Sequence, residues 1–169
     1  MKRLWAPWRI EYIKGPKEED CFFCRYLHEK KDTVNLVLYR SNNAMVVMNY
    51  YPYNNGHLMI APNQHTSEIS ELDDMTKLEL MNLIAHCQKA LTKHLNAQGF
   101  NIGINYGEVA GAGLKEHLHI HIVPRWNGDT NFMPVTGHTK VVSQGLKETW
   151  KTLYNYFKNL PDNTVSSIE

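Results

Sequence analysis

Glu116-His117-Leu118-His119-Ile120-His121-Ile122-Val123-Pro124-Arg125-Trp126 is the stretch whose reading decides the fold. Histidine recurs at every second position, with Leu118, Ile120 and Ile122 between. A period of two is that of a β-strand, so the spacing predicts imidazoles on one face and aliphatic side chains on the other. The aliphatic face belongs in a core. The opposite face then carries titratable, metal-competent rings along roughly 13 Å of strand, at about 3.3 Å per residue. The plainer reading is a solvated outer face that is histidine-rich by chance. Against it, Val, Ile or Thr would serve a strand better, and histidines in register point to a site.

Working outward, 169 residues give room for one domain with its own core and too little for two. Hydrophobic residues at 43% and charged ones at 21% are ordinary globular values. With 18 basic and 17 acidic side chains the formal charge is +1. No global field therefore marks nucleic acid or a membrane as partner, and an anionic ligand must be held by local donors. Apolar runs such as Leu58-Met59-Ile60-Ala61 are too short to span a bilayer. The basic, aromatic stretch Met1 to Ile10 lacks the continuous apolar h-region of a secretory signal. The cytoplasm is the expected location.

Three cysteines, two of them as Cys21-Phe22-Phe23-Cys24, do not make a disulfide framework. A Cys-x-x-Cys pair can give two thiolates to one Zn²⁺, with two histidines completing a tetrahedral site. Spacing alone leaves His28, His57, His65, His86, His94, His117 and His138 open as those histidines. A redox role would want a thioredoxin-like βαβ context, which is missing around this pair.

Taken in order, residues 1–20 read as an aromatic-rich docking segment (Trp5, Trp8, Tyr12). A short helix follows from Cys21, then a hairpin of Leu36–Arg40 and Ala44–Asn49 about Ser41-Asn42-Asn43. Tyr50 to Gly56 is a loop with an Asn55-Gly56 turn, and His57–Ala61 a third strand closed by Pro62. Asp73 or Asp74 can N-cap a long helix to about Leu95, with Met75, Leu78, Met81, Ile84, Leu91 and Leu95 as its core-facing stripe. Phe100–Asn105 is a fourth strand, and glycine-rich residues 107–113 lead into the histidine strand. A polar loop from Asn127 precedes a terminal amphipathic helix, Gln144–Leu160, carrying Leu146, Trp150, Leu153, Tyr154 and Phe157 on one side. Trp150 is expected in the core.

An imidazole on a rigid strand can attack phosphorus as well as act as a general base. His119 is the best placed, flanked by a histidine on each side to orient it or bind anionic oxygen. Gly111-Ala112-Gly113 can bring backbone N–H groups close to a phosphate.

His117-Leu118-His119-Ile120-His121-Ile122-Val123 resembles the signature of the histidine triad (HIT) superfamily, His-φ-His-φ-His-φ-φ with φ apolar. The segment from Asn49 through Gly56-His57-Leu58-Met59-Ile60-Ala61-Pro62 to His65 is similar to a second hallmark, and the resemblance covers residues 21–126. The flanks Leu4-Trp5-Ala6-Pro7-Trp8-Arg9 and Pro124 to Met133 resemble the branch containing bacterial diadenosine tetraphosphate phosphorylases. The resemblance implies an α+β fold: an antiparallel sheet of about five strands, a long helix packed on it, a C-terminal helix from the 127–169 region on the same domain, and homodimerisation.

It also implies a chemistry at the α-phosphate of a nucleotide or dinucleoside polyphosphate, with His119 as nucleophile forming a nucleotidyl-imidazole. His121 and His57 would bind phosphate oxygens or manage protons, and Asn49 and Asn105 would contact ribose and phosphate. Water or inorganic phosphate would complete the reaction. A structural Zn²⁺ would be held by Cys21, Cys24, His65 and His117, with no organic cofactor. One departure stands out. Many family members place a Gly-Gln-[Ser/Thr] turn before the triad, whereas this chain has Ala112-Gly113-Leu114-Lys115. Backbone donors at Gly111 and Gly113, Lys115, or the Thr130-Asn131 loop would have to replace those contacts, and Trp126 with that loop could wall off water. The alternatives are a nucleoside phosphoramidase or mononucleotide hydrolase with the same nucleophile, or a zinc-stabilised nucleotide-binding dimer with little turnover.

Overall fold

The computed structural model describes residues 20–129 and 145–160. The expected docking segment, apart from its last residue, and also Thr130, Asn131 and His138, lie outside the described residues. Helix α1 (Phe22–Glu29) and a single helical turn, α2 (Asp32–Asn35), precede strands β1 (Val37–Arg40), β2 (Ala44–Met48) and β3 (Leu58–Pro62). The long helix α3 (Asp74–Leu95), strands β4 (Gly99–Ile104) and β5 (Ile120–Arg125), and helix α4 (Leu146–Phe157) complete the order. The strands form one five-stranded sheet in the order β1-β2-β3-β5-β4, antiparallel throughout. This is the α+β architecture expected, with Trp150 buried and its indole N–H donating to Val37 O at 3.0 Å.

Register decides which residues share a face, because directly paired positions project to the same side. Val47, Met59, His121 and Gly103 form one row across the sheet, and Val46, Ile60, Ile120 and Ile104 form the neighbouring row. The second row packs with Leu80, Leu83, Cys87, Ala90 and Leu91 of α3 and Leu153 and Phe157 of α4. Phe23 from α1 covers the first face, in a smaller cluster with Val37, Met45, Val47, Met59 and Ala61. Every residue of β2 and β3 is buried, as a strand covered on both sides requires. The histidine face therefore opens beside the small cluster, away from α3.

Two expectations are corrected. The regular strand begins only at Ile120, so His117 and His119 lie on the irregular approach to it, where Leu118 N–H bonds Thr66 O at 2.7 Å. The alternation nevertheless holds: Leu118, Ile120 and Ile122 enter the helix-side core. On α3 the expected stripe is half wrong. Asp73 caps the helix as expected, its carboxylate accepting from Thr76 N–H at 2.6 Å. Yet Met75, Leu78 and Met81 are exposed, and Thr76, Leu80, Leu83, Cys87, Ala90 and Leu91 meet the sheet. Two apolar stripes run along this helix, each with three- to four-residue spacing. Periodicity cannot say which one the sheet covers.

The turn into β3 leaves no choice of residue at Gly56. Its φ is +73°, and a Cβ there would sit 2.6 Å from Leu95 Cδ1 and 3.0 Å from Leu91 Cδ2. Gly56→Ala is expected to destabilise the fold by about 1–3 kcal/mol, through the left-handed backbone and overpacking. Chemical denaturation would read this as a lower midpoint with little change in slope.

Candidate active site and metal site

The two cysteines, His65 and His117 converge at the first turn of α1. One ligand atom from each of Cys21, Cys24, His65 and His117 lies within 4.8 Å of the others. Cys21 Sγ is 3.1 Å from His117 Nδ1, Cys24 Sγ is 3.2 Å from His65 Nδ1, and Cys24 Sγ is 3.7 Å from His117 Nδ1. The other nitrogen of His117 points away, its Nε2–H donating to Pro62 O at 2.8 Å. That backbone acceptor leaves Nδ1 as the lone pair aimed at the thiols, the outer-shell arrangement common for a ligating histidine. Burial holds the His117 imidazole down to about 4, so it is neutral and able to ligate. Burial, followed by the Cys21 thiol beside it, pushes the Cys24 thiol up to about 11. The four residues thus fit a soft, four-coordinate ion; binding one would deprotonate the thiols. The third cysteine, Cys87, is buried in the helix-side core, where burial drives its thiol well above its usual range.

Two residues beyond His117, His119 is buried and its Nδ1 lies 2.8 Å from the carbonyl of His117. A carbonyl only accepts, so the proton is on Nδ1 and the Nε2 lone pair is left for chemistry. Burial holds the His119 imidazole below its usual range, favouring this neutral form. The Phe23 ring, between the two cysteines in sequence, packs against both His117 (5.1 Å between centroids) and His119 (5.4 Å).

His121 and His57 carry the opposite polarity. Tyr53 N–H donates to His57 Nδ1 at 3.1 Å, so the proton of neutral His57 sits on Nε2. That Nε2 lies 3.0 Å from His121 Nδ1, which must accept, leaving the His121 proton on Nε2. The rings of His119 and His121 meet edge to face, 4.8 Å apart. The site therefore sets a lone pair on one imidazole beside an N–H donor on the next.

Of the other expected contacts, Asn49 is half-buried at the end of β2, its side-chain oxygen accepting from Tyr51 N–H at 2.8 Å. Asn105 and Lys115 share a cavity of about 320 Å³ with Tyr106, Gly107 and Leu114, backed by His117 and Leu118. Lys115 is 3.7 Å from Glu108. Gly111, at φ +88°, spends its N–H on Glu108 O to close a 3-10 turn, while Gly113 lies exposed on the final approach. Trp126 packs with the helix-side core and donates its indole N–H to Leu95 O at 3.0 Å, across the sheet from the imidazole face. The sequence reading missed Tyr53, whose ring stacks on His57 at 4.8 Å and 25°. It also missed the Asn54 side chain, which ties this loop to Pro124 O and Asp129. Both lie in a stretch legible only as a turn.

The model of the HIT domain matches residues 30–128 of this chain. The chain belongs to the HIT family. The "AP-4-A phosphorylase" of Mycobacterium tuberculosis is 38% identical over 172 residues, covering 95% of this chain and 87% of that protein. The resemblance to the phosphorylase branch is thereby shown, and the chain is a HIT-family enzyme. An adenosine 5'-monophosphoramidase of Schizosaccharomyces pombe is 26% identical over 107 residues, 63% of this chain and 75% of that protein. Among solved structures, a Zn-bound histidine triad family protein from Mycobacterium smegmatis shares the fold with a TM-score of 0.66 at 24% identity, over 82% of this chain and 94% of its own. Among the described residues no helix is long and apolar enough to cross a membrane.

The cysteine–histidine cluster makes a direct prediction. Titrating metal-free protein with Co²⁺ should produce a thiolate-to-metal absorption band and release at least one proton per ion, since the metal-free Cys24 thiol is protonated at neutral pH. Apparent affinity should fall as pH falls, and Cys24→Ser should lose the band.

Proposed function

We propose that this enzyme cleaves dinucleoside polyphosphates, such as diadenosine tetraphosphate, at the α-phosphate through a covalent nucleotidyl-His119. The observation that carries this reading is the split of tautomers, a bare Nε2 on His119 beside an Nε2–H on His121, in a chain 38% identical to a protein named for that substrate. The His119 Nε2 lone pair attacks phosphorus, a P–N bond forms, and the P–O bond to the leaving nucleotide breaks. The leaving oxygen keeps the electron pair and takes a hydrogen bond from His121 Nε2–H. An acceptor oxygen then attacks the same phosphorus, the P–N bond breaks, and the electron pair returns to His119. Inorganic phosphate as acceptor yields ADP and water yields AMP. Asn49, Asn105, Gly113 and Lys115 are the groups we assign to ribose and phosphate oxygens.

We assign Zn²⁺ to the cluster of Cys21, Cys24, His65 and His117, as a structural ion that pins the approach to β5 and withdraws His117 from proton chemistry. We also read the chain as a homodimer, formed along β4, the terminal strand of the sheet among the described residues. That strand is an edge strand with Ile102 exposed, and α3 leaves Met75, Leu78 and Met81 exposed. Ile102→Glu should shift sedimentation from two copies to one, and a wild-type monomer would refute the dimer.

Diadenosine tetraphosphate with and without phosphate separates the acceptors: ATP plus ADP marks phosphorolysis, ATP plus AMP hydrolysis. His119→Ala should remove turnover and the acid-labile nucleotidyl adduct while nucleotide binding persists; unchanged product formation would reject the mechanism. Adenosine 5'-phosphoramidate run in parallel tests the phosphoramidase reading. Because only neutral His119 attacks and burial holds its imidazole below the usual histidine range, the acid limb of the rate profile should fall at lower pH than for an ordinary exposed histidine.

A further inference from the structure

The loop from Asn49 to Gly56 is held more firmly than its composition of tyrosine, proline and asparagine suggests. Asn49 N–H bonds His57 O at 2.9 Å, His57 N–H bonds Asn54 O at 3.1 Å, and Asn54 Nδ2 reaches Pro124 O and Asp129. Behind it, Gly56 is packed on Leu91 and Leu95. The result is that Tyr53 meets the fully buried His57 in two ways at once. Its backbone N–H occupies His57 Nδ1, and its ring lies nearly parallel on the imidazole at 4.8 Å, with the His121 ring 6.0 Å away.

We propose that Tyr53 is a positioning residue for the His57–His121 pair, holding His57 so that His121 donates from Nε2 toward the leaving group. The inference deepens the proposed function and rests on that reading. The backbone bond alone selects which nitrogen of His57 carries the proton. It does not stop the ring from tilting about its terminal torsion, which is broad for an imidazole. The stacked tyrosine ring closes that freedom. With the ring removed, His57 turns off His121 Nδ1, the His121 proton redistributes between its two nitrogens, and the donor facing the leaving oxygen is partly lost. A donor of this kind matters most where the leaving group departs as a poorly stabilised anion. The defect is therefore selective for poor leaving groups, which loss of packing alone is not.

The test is a series of aryl esters of AMP, from 4-nitrophenyl to phenyl, with the wild type, Tyr53→Phe, Tyr53→Leu and Tyr53→Ala. Tyr53→Phe keeps the ring and should stay within about threefold of wild type in kcat/KM across the series, since ring and backbone donor both remain. Tyr53→Ala and Tyr53→Leu should stay within about threefold on the nitrophenyl ester but lose about tenfold to a hundredfold on the phenyl ester. Nitrogen-15 spectra of the histidines give a readout independent of turnover. Wild type and Tyr53→Phe should show single Nε2–H tautomers for His57 and His121, and Tyr53→Ala a mixture at His121 with His57 unchanged. Equal losses along the ester series, or unchanged tautomers in Tyr53→Ala, would overturn the proposal. A wild type that forms no nucleotidyl-His119 from any ester would refute the proposed function instead, and the tautomer spectra would still decide the role of Tyr53.

Discussion

The hydrogen bond from His119 Nδ1–H to the carbonyl of His117, 2.8 Å long, joins everything else in this molecule. It lies within one short stretch of chain, yet its two ends belong to different tasks. His117 is tied through its side chain to Cys21, Cys24 and Pro62, so its carbonyl has a fixed direction. His119 inherits that direction and keeps Nε2 for chemistry. Burial contributes the second condition by disfavouring the charged ring. The cysteine–histidine cluster and the His119 imidazole are thus consecutive links along one stretch of chain, with Phe23 packed across both.

The sheet makes this arrangement affordable in packing terms. Among the described residues, its helix side holds the larger cluster, formed with α3 and α4, and its other side the small one around Phe23. Polar rings on the second side can approach a substrate without opening the main core. His57 and His121 reach each other across β3 and β5 because Met59 pairs with His121 and His57 precedes that register by two residues. A one-residue slip of either strand would turn its own imidazole into the helix-side core and part it from the other.

Much of the fold was legible. Alternation in 117–122 placed Leu118, Ile120 and Ile122 in the core, Asp73 capped the long helix, and the hairpin and terminal helix stand where their patterns put them. The failures have physical causes. Met75, Leu78 and Met81 satisfy helical spacing as well as Leu80, Leu83 and Cys87 do, so only the sheet could choose between them. Trp126 sits beside the triad in sequence but has the parity of Ile120 and Ile122, which sends it to Leu95 and the opposite face. Gly111 lies in a glycine-rich run, but its N–H closes a turn.

The sequence by itself determined the chemistry available: a strand-period row of histidines, a Cys-x-x-Cys pair and a Gly-His strand, because periodicity and ligand chemistry are local properties. Only the tertiary structure decided where each histidine holds its proton. Nothing in the alternation distinguishes His117, His119 and His121, since each is an imidazole followed by an aliphatic neighbour. Their protons are placed by hydrogen-bond partners: Pro62 for His117, the carbonyl of His117 for His119, and Tyr53 N–H acting through His57 for His121. A tautomer is chosen by the acceptor or donor that the fold brings to the other nitrogen; for His117 and His121 those groups come from another strand and a loop, and for His119 from a neighbouring carbonyl whose direction the fold sets.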